Sequence, residues 1–350
     1  MSWLSDNVLN HLRSVAEHPD LSHTKYRCLE KVATGGMATV YLAEDTELRR
    51  PLALKVLTAA DSRGDLAERM MQEARIIAAL EHPSIVPIHD VGVLPDGRVF
   101  YTMKFVKGRR LDEHIQNTPS LPERLRLFQK LCEAVAFAHS RGIIHRDLKP
   151  ENIMVGDFGE VLVMDWGLAK LLAADDAKSE IDSSTIQSKV RVRSPTKLSS
   201  QATEHGTVMG TPAYMSPEQG RGEVKQIDER SDVYALGAIL FFLITNTPPN
   251  AFDPMQEHQQ LRPRQINDKI PKAIEAICLT ALSPSKENRF ASARELSEDV
   301  ERFLNGQAVT SYHESPLEKL ARWVKKNKFV VSLLLVYVVM RFLIYFVGRP

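Results

Sequence analysis

The run His145 to Asn152, HRDLKPEN, followed behind a strand-like VLVM by Asp165 in DWG, constrains this chain more than any other feature. An Asp, a Lys two residues later, an Asn five residues after that Asp, and a second Asp behind a strand can converge on one site. Such a set suits phosphoryl transfer. Divalent ions need hard oxygen ligands such as Asp165 and the Asn152 amide, a cation must neutralise charge growing on phosphate oxygens, and a carboxylate must orient the attacking hydroxyl. Each residue alone also serves as a turn or cap residue; their joint order and spacing carry the reading.

Upstream, ATGGMATVYLA lies between two strand candidates, and Gly35 with Gly36 allows either a tight phosphate-cradling turn or a plain hairpin. Lys55 stands in the apolar strand LALKVL, where a charge is expensive unless it snorkels to solvent or meets a counter-charge or ligand. Glu73, in a helix predicted over about Leu66 to Leu80, is the natural partner; a surface salt bridge is the alternative reading of that residue.

From Tyr26 to about Val106 short β-branched and aromatic runs alternate with Gly, Pro and Asp, and from Leu111 onward the periodicity is helical. DVYALGAILFFLIT is apolar all round but too short to span a bilayer, which predicts a helix buried in a soluble core. Residues 178–201 shift to Ser, Thr, Lys and Arg and read as an insertion, either mobile or simply a solvated loop. Residues 1–25 carry a short amphipathic helix ended by Pro19. With 45 Lys and Arg against 44 Asp and Glu, the +1 formal charge gives no reason to expect a nucleic-acid partner. Cys28, Cys132 and Cys278 are too dispersed for a disulfide framework or zinc ribbon, and a reducing compartment fits.

The nineteen residues Phe329 to Val347 are apolar apart from Ser332 and Arg341, and at ~1.5 Å per residue such a helix approaches the ~30 Å core of a bilayer. Lys319, Arg322, Lys325, Lys326 and Lys328 precede it without an acid, the flank that stays cytoplasmic. The expectation is a transmembrane helix over 329–347 behind a basic juxtamembrane linker, 306–328, with the body in the cytoplasm; a helix lying at the interface or packed on the protein is the alternative.

Taken in order, VYLA, ALKVL, EHPSIVPIHDVG, HRDLKPEN, DWG, GTPAYMSPEQ, SDVYALG and NRFASA resemble a eukaryotic-type Ser/Thr protein kinase of the membrane-anchored kind found in bacteria. The resemblance implies an α+β, two-lobed fold, with a β-rich small lobe at 26–106 and a mainly helical large lobe at 107–305. It implies ATP with Mg²⁺ or Mn²⁺, held by Ala33, Gly35, Gly36, Val40, Ala53, Lys55, Met103, Lys104 and Val106, Met103 being the gatekeeper. Lys55 would hold the α and β phosphates and pair with Glu73. Asp147 would accept the substrate hydroxyl proton, Lys149 would steady the γ-phosphate, and Asn152 and Asp165 would hold the metal ions. His145 is architectural, Glu218 would pair with Arg289, and Asp232 would hold the backbone of the catalytic loop.

Lys149 and Thr211 resemble the Ser/Thr-directed branch, so the implied partners are proteins with Ser or Thr acceptors. A homodimer through the small lobes is common in similar kinases. Arg146 would pair with a phosphate on Thr203 or Thr207, with Ser183, Ser184, Thr185 and Ser194 as additional acceptors. Three departures stand out. Ala33 and Ala38 occupy positions where glycine is preferred, and an alanine driven to positive φ would cost about 1 kcal/mol. Trp166 replaces the usual Phe after Asp165. These departures are what favours the competing reading, a pseudokinase acting as a nucleotide-binding membrane scaffold.

Overall fold

Period-two alternation builds five antiparallel strands, β1 (Tyr26–Thr34), β2 (Ala38–Asp45), β3 (Arg50–Leu57), β4 (Ile88–Val93) and β5 (Val99–Lys104), in the order β1-β2-β3-β5-β4. The structure, a computed structural model, describes residues 19–58, 64–118, 120–166, 170–171, 212–249 and 262–347. Leu52, Leu54 and Val56 of β3 point into one cluster with Tyr26, Tyr41 and Phe100. Leu57, two residues from Lys55, points the other way, into a cluster with Met70, Ala74 and Tyr101. The pleat therefore assigns Lys55 to the face covered by helix α1 (Asp65–Ala78), whose Met70, Glu73, Ala74, Ile76 and Ile77 are buried. Asp65 and Glu68 in its first turn and Arg75 in its last complement the helix dipole.

Ala33 lies in β1 and Ala38 in β2, paired with Val40 and Leu57 respectively. Among the described non-glycine residues, positive φ is confined to Arg49, Arg146, Asp165 and Asn246. The strain expected of an alanine in the glycine turn therefore does not arise, because both alanines are extended strand residues.

The large lobe contains α2 (Leu121–Ser140), α3 (Glu229–Thr245), α4 (Lys272–Ala281) and α5 (Ala293–Leu304). Every residue of α3 from Ser231 to Ile244 is buried, as its apolar-all-round sequence predicts. A Cβ on Gly237 would lie 2.7 Å from that of Ala281, so glycine is what lets α3 and α4 approach. Between the lobes, β6 (Gly108–Arg110), β8 (Ile153–Gly156) and β9 (Val161–Val163) form a small sheet in the order β6-β8-β9, and β7 (Ile143–Ile144) pairs with β10 (Lys170–Leu171).

Behind α5 the chain folds back on the lobe: the Asp299 carboxylate accepts from the Thr310 N–H (2.6 Å), the Ser311 N–H (3.1 Å) and the Ser311 hydroxyl (2.6 Å). Two helices follow, α6 (Pro316–Lys326) and α7 (Lys328–Val347). Among the described residues no single helix is long and apolar enough to cross a membrane; Pro316–Lys326 and Val331–Ile344 pass together by length and composition, bent by 91°. The expected helix within residues 1–18, the whole 178–201 insertion with its serines and threonine, and Thr203, Thr207 and Thr211 lie outside the described residues.

Candidate active site

Lys55 reaches across from β3 to α1, where its Nζ donates to Glu73 Oε1 at 2.8 Å, and it lies 3.6 Å from Asp165 Oδ1. Burial alone would lower the Lys55 pKa, but the two carboxylates outweigh it and hold the amine above its ordinary 10.5. It is a fixed cation. The same Glu73 oxygen accepts from the Tyr101 hydroxyl at 2.7 Å. Tyr101 stands opposite Lys55 in the β3–β5 ladder and is 1% exposed. Burial first, and the Glu73 charge second, push its phenol well above 10, so it remains a donor.

Sequence reasoning missed Tyr101, because only the strand register places it beside the pair. Tyr101→Phe removes one of two donors to a buried carboxylate, an interaction worth about 1.5 kcal/mol. The expected result is a roughly tenfold fall in kcat/KM for ATP. In a Glu73→Gln background the same change should add little; an undiminished effect there would show that Tyr101 acts through something other than Glu73.

The loop from His145 to Asn152 is held by contacts with its own side chains and with Met164. His145 Nε2 sits 3.1 Å from the Met164 carbonyl, and its Nδ1 accepts from the Asp147 N–H at 3.3 Å, contacts that require the proton on Nε2. The Asp147 carboxylate accepts from Lys149 Nζ at 2.9 Å and from Asn152 Nδ2 at 3.2 Å. Asn152 Nδ2 also donates to the Asp147 carbonyl at 2.8 Å, so both contacts to Asp147 use the amide nitrogen and leave the amide oxygen out of them. Asp165 adopts φ 57 and leaves its side chain about half exposed. An amide oxygen and a carboxylate are hard donors that fit Mg²⁺, an ion that retains waters and takes its remaining ligands from phosphates. Among the described residues no group of three or more His, Cys, Asp or Glu forms a closed metal cage.

Arg146 adopts φ 69, an unfavourable backbone for a non-glycine residue. Asp232, from the buried α3, compensates by accepting the N–H groups of His145 (2.8 Å) and Arg146 (2.9 Å). His139 Nε2 lies 2.8 Å from the same carboxylate. Gln219 Nε2 donates to the Arg146 carbonyl at 2.7 Å. His139 carries no motif signal and emerges only from the fold, whereas Gln219 closes the GTPAYMSPEQ motif and gains its role only from the contact with Arg146.

Lower in the lobe, Arg289 and Glu218 form a two-pronged ion pair at 2.8 and 2.9 Å. Trp166 is 1% exposed, packs on the His145 ring at 4.6 Å between centroids, and shares a core cluster with Ile76 and Ile77 of α1.

The residues expected to hold the nucleotide come from both lobes. Val40 pairs with Lys55, Ala53 pairs with Met103, and Lys104 follows at the exposed strand end. Val106 clusters with Val86 and Leu162, and Met103, Met154 and Met164 pack against them. Met154, only partly buried, adds apolar surface that the sequence reading did not anticipate, with the buried Leu162 packed behind it. Gly35 donates its N–H to the Ala38 carbonyl at 2.9 Å, so that donor closes the turn and is committed.

The pattern described as Protein kinase domain matches residues 26–310. The chain is 33% identical over 312 residues to serine/threonine-protein kinase PknD of Protochlamydia amoebophila, covering 81% of this chain and 30% of the relative. It is 34% identical over 307 residues to serine/threonine-protein kinase PknB of Mycobacterium leprae, covering 83% of this chain and 44% of that protein. The chain therefore spans less than half the length of either. Among solved structures, the Mycobacterium tuberculosis PknI kinase domain superposes with a TM-score of 0.57 at 25% identity, covering 81% of this chain and 96% of that domain.

Proposed function

Because this chain belongs to the protein kinase family, we propose that it transfers the γ-phosphoryl group of ATP to serine or threonine hydroxyls of proteins. The single observation that carries the reading is the position of Lys55 Nζ, 2.8 Å from Glu73 and 3.6 Å from Asp165. That geometry requires α1 to be swung toward the sheet, the arrangement in which a triphosphate meets a fixed cation.

Adenine would lie between Val40, Ala53 and Met103 above and Met154 below, with Lys104 and Val106 at the connector. Lys55 would bind the α and β phosphates while Glu73 and Tyr101 hold its position. Mg²⁺, when bound by Asn152 Oδ1 and the Asp165 carboxylate, neutralises charge on the phosphate oxygens. Asp147 would orient the acceptor hydroxyl and take its proton, and Lys149, 2.9 Å away, would steady the γ-phosphate side. Arg146 would dock a phosphate on Thr203 or Thr207, adding roughly −1.5 to −2 charge to the activation segment.

The proposal also places α7 across a membrane with the catalytic lobes on the cytoplasmic side, and pairs two copies through their small lobes, where Val91 and Val93 of β4 are exposed. Incubation with γ-labelled ATP, Mg²⁺ and a basic acceptor protein, followed by acid hydrolysis, tests the chemistry. Label is expected on phosphoserine or phosphothreonine. Nucleotide binding without label transfer would establish a pseudokinase instead.

A further inference from the structure

Helix α6 is attached to the large lobe through its polar side. Glu318 accepts from Lys272 Nζ at 3.0 Å and from the Tyr312 hydroxyl at 3.0 Å. Arg322 donates to Glu314 through Nε at 2.9 and 3.0 Å and through Nη2 at 2.8 Å. Leu317, Leu320, Trp323 and Val324 occupy the opposite arc and are 78, 58, 51 and 37% exposed. A soluble helix buries its apolar stripe and shows its polar one; α6 does the reverse, and none of its residues is buried.

We propose that the outward face of α6 inserts into the headgroup layer of an anionic lipid bilayer, so that the large lobe rests on the membrane in a fixed orientation. This rests on the reading of α7 as the membrane anchor. The chain passes from Lys326 to Lys328 directly into α7, and the axes of Pro316–Lys326 and Val331–Ile344 differ by 91°. If α7 stands along the bilayer normal, α6 lies in the membrane plane, where interfacial helices bury their apolar face. Trp323 is the residue type that settles at that depth, and Lys319, Lys325 and Lys326 flank the stripe with cations that anionic headgroups attract. Those cations argue against a second copy of the chain as occupant, since two such faces would set like charges together. Asp299 holds Thr310 and Ser311, and Lys272 holds Glu318, so α6 is braced against the lobe.

The test is Trp323 fluorescence of the full chain in phosphatidylcholine–phosphatidylglycerol vesicles, with lipids brominated near the headgroup end of their acyl chains as quenchers. The Trp323→Phe variant isolates this signal from Trp3 and Trp166. The expected result is a Trp323 component quenched at least twofold and shifted to the blue. Alkaline carbonate extraction, run in parallel, reads the anchor independently. A carbonate-resistant chain whose Trp323 component is unquenched overturns the proposal while leaving the anchor standing. A chain released by carbonate and unquenched overturns both. Disulfide cross-linking of two copies through Leu320→Cys, with quenching absent, assigns the face to a dimer and likewise overturns it.

Discussion

Asp147→Asn lowers the rate of phosphoryl transfer by about 10²- to 10⁴-fold, the contribution of a positioned general base. Affinity for MgATP should stay within a few-fold, because Lys55, Asn152 and Asp165 are untouched. The Asp147 carboxylate accepts from both Lys149 and Asn152, which fix its position where the proposed reaction needs a proton acceptor. An Asn of the same shape retains a carbonyl oxygen for one of those donors, but it cannot take a proton from the acceptor hydroxyl. Single-turnover transfer with labelled ATP, beside equilibrium binding of a fluorescent nucleotide, separates the two effects. A variant that transfers phosphate at the wild-type rate would remove Asp147 from the chemistry.

Arg289→Ala should have the largest effect on stability. Arg289 is 4% exposed, and its guanidinium satisfies both Glu218 oxygens as well as the carbonyls of Ser283 (2.8 Å), Arg230 (3.0 Å) and Pro284 (3.1 Å), while lying 5.0 Å from the Tyr234 ring centroid. Its removal leaves a buried carboxylate without its main partner, a loss of about 3 to 5 kcal/mol. For a domain of this size that corresponds to a fall of roughly 10 °C in Tm.

The pH dependence distinguishes this cause from simple loss of volume. Burial alone would raise the Glu218 pKa, but Arg289 and Ser231 outweigh it and bring it from 4.5 to about 2. The pair's stabilisation is therefore complete above 4.5 and is lost as pH falls toward 2. The Tm gap between wild type and Arg289→Ala should narrow across that window; a gap independent of pH would show that packing, not charge, was lost.

Much of the site was legible because its members lie within one loop and one hairpin. Asp147, Lys149 and Asn152 are separated by fixed short spacings, so their convergence needs no knowledge of tertiary structure. Lys55 with Glu73 was legible for another reason: a cation in an apolar strand demands a counter-charge, and α1 offered an acid on its inward face. Tyr101 was not legible. In RVFYTMKFV it is one more aromatic strand residue, and only the pairing of Lys55 with Tyr101 across β3 and β5 gives its hydroxyl a role.

The glycine turn shows the opposite error. Ala33 and Ala38 look like losses of conformational freedom, yet the strands extend far enough to include both, and no left-handed residue is needed there. In α6 the lysines and arginine drew the reading to the charge of the segment, and the apolar stripe from Leu317 to Val324 becomes meaningful only when Glu318 and Arg322 are seen to face the protein.

The proposed activity requires one arrangement, six polar side chains gathered around a single nucleotide and its metal. A crystal structure of the chain with a non-hydrolysable ATP analogue and Mg²⁺ tests this most directly. The predicted result is a divalent ion about 2.0 to 2.1 Å from Asn152 Oδ1 and the Asp165 carboxylate, with Lys55 hydrogen-bonded to phosphate oxygens. A nucleotide bound away from Lys55, or metal ligated without Asp165, would contradict it.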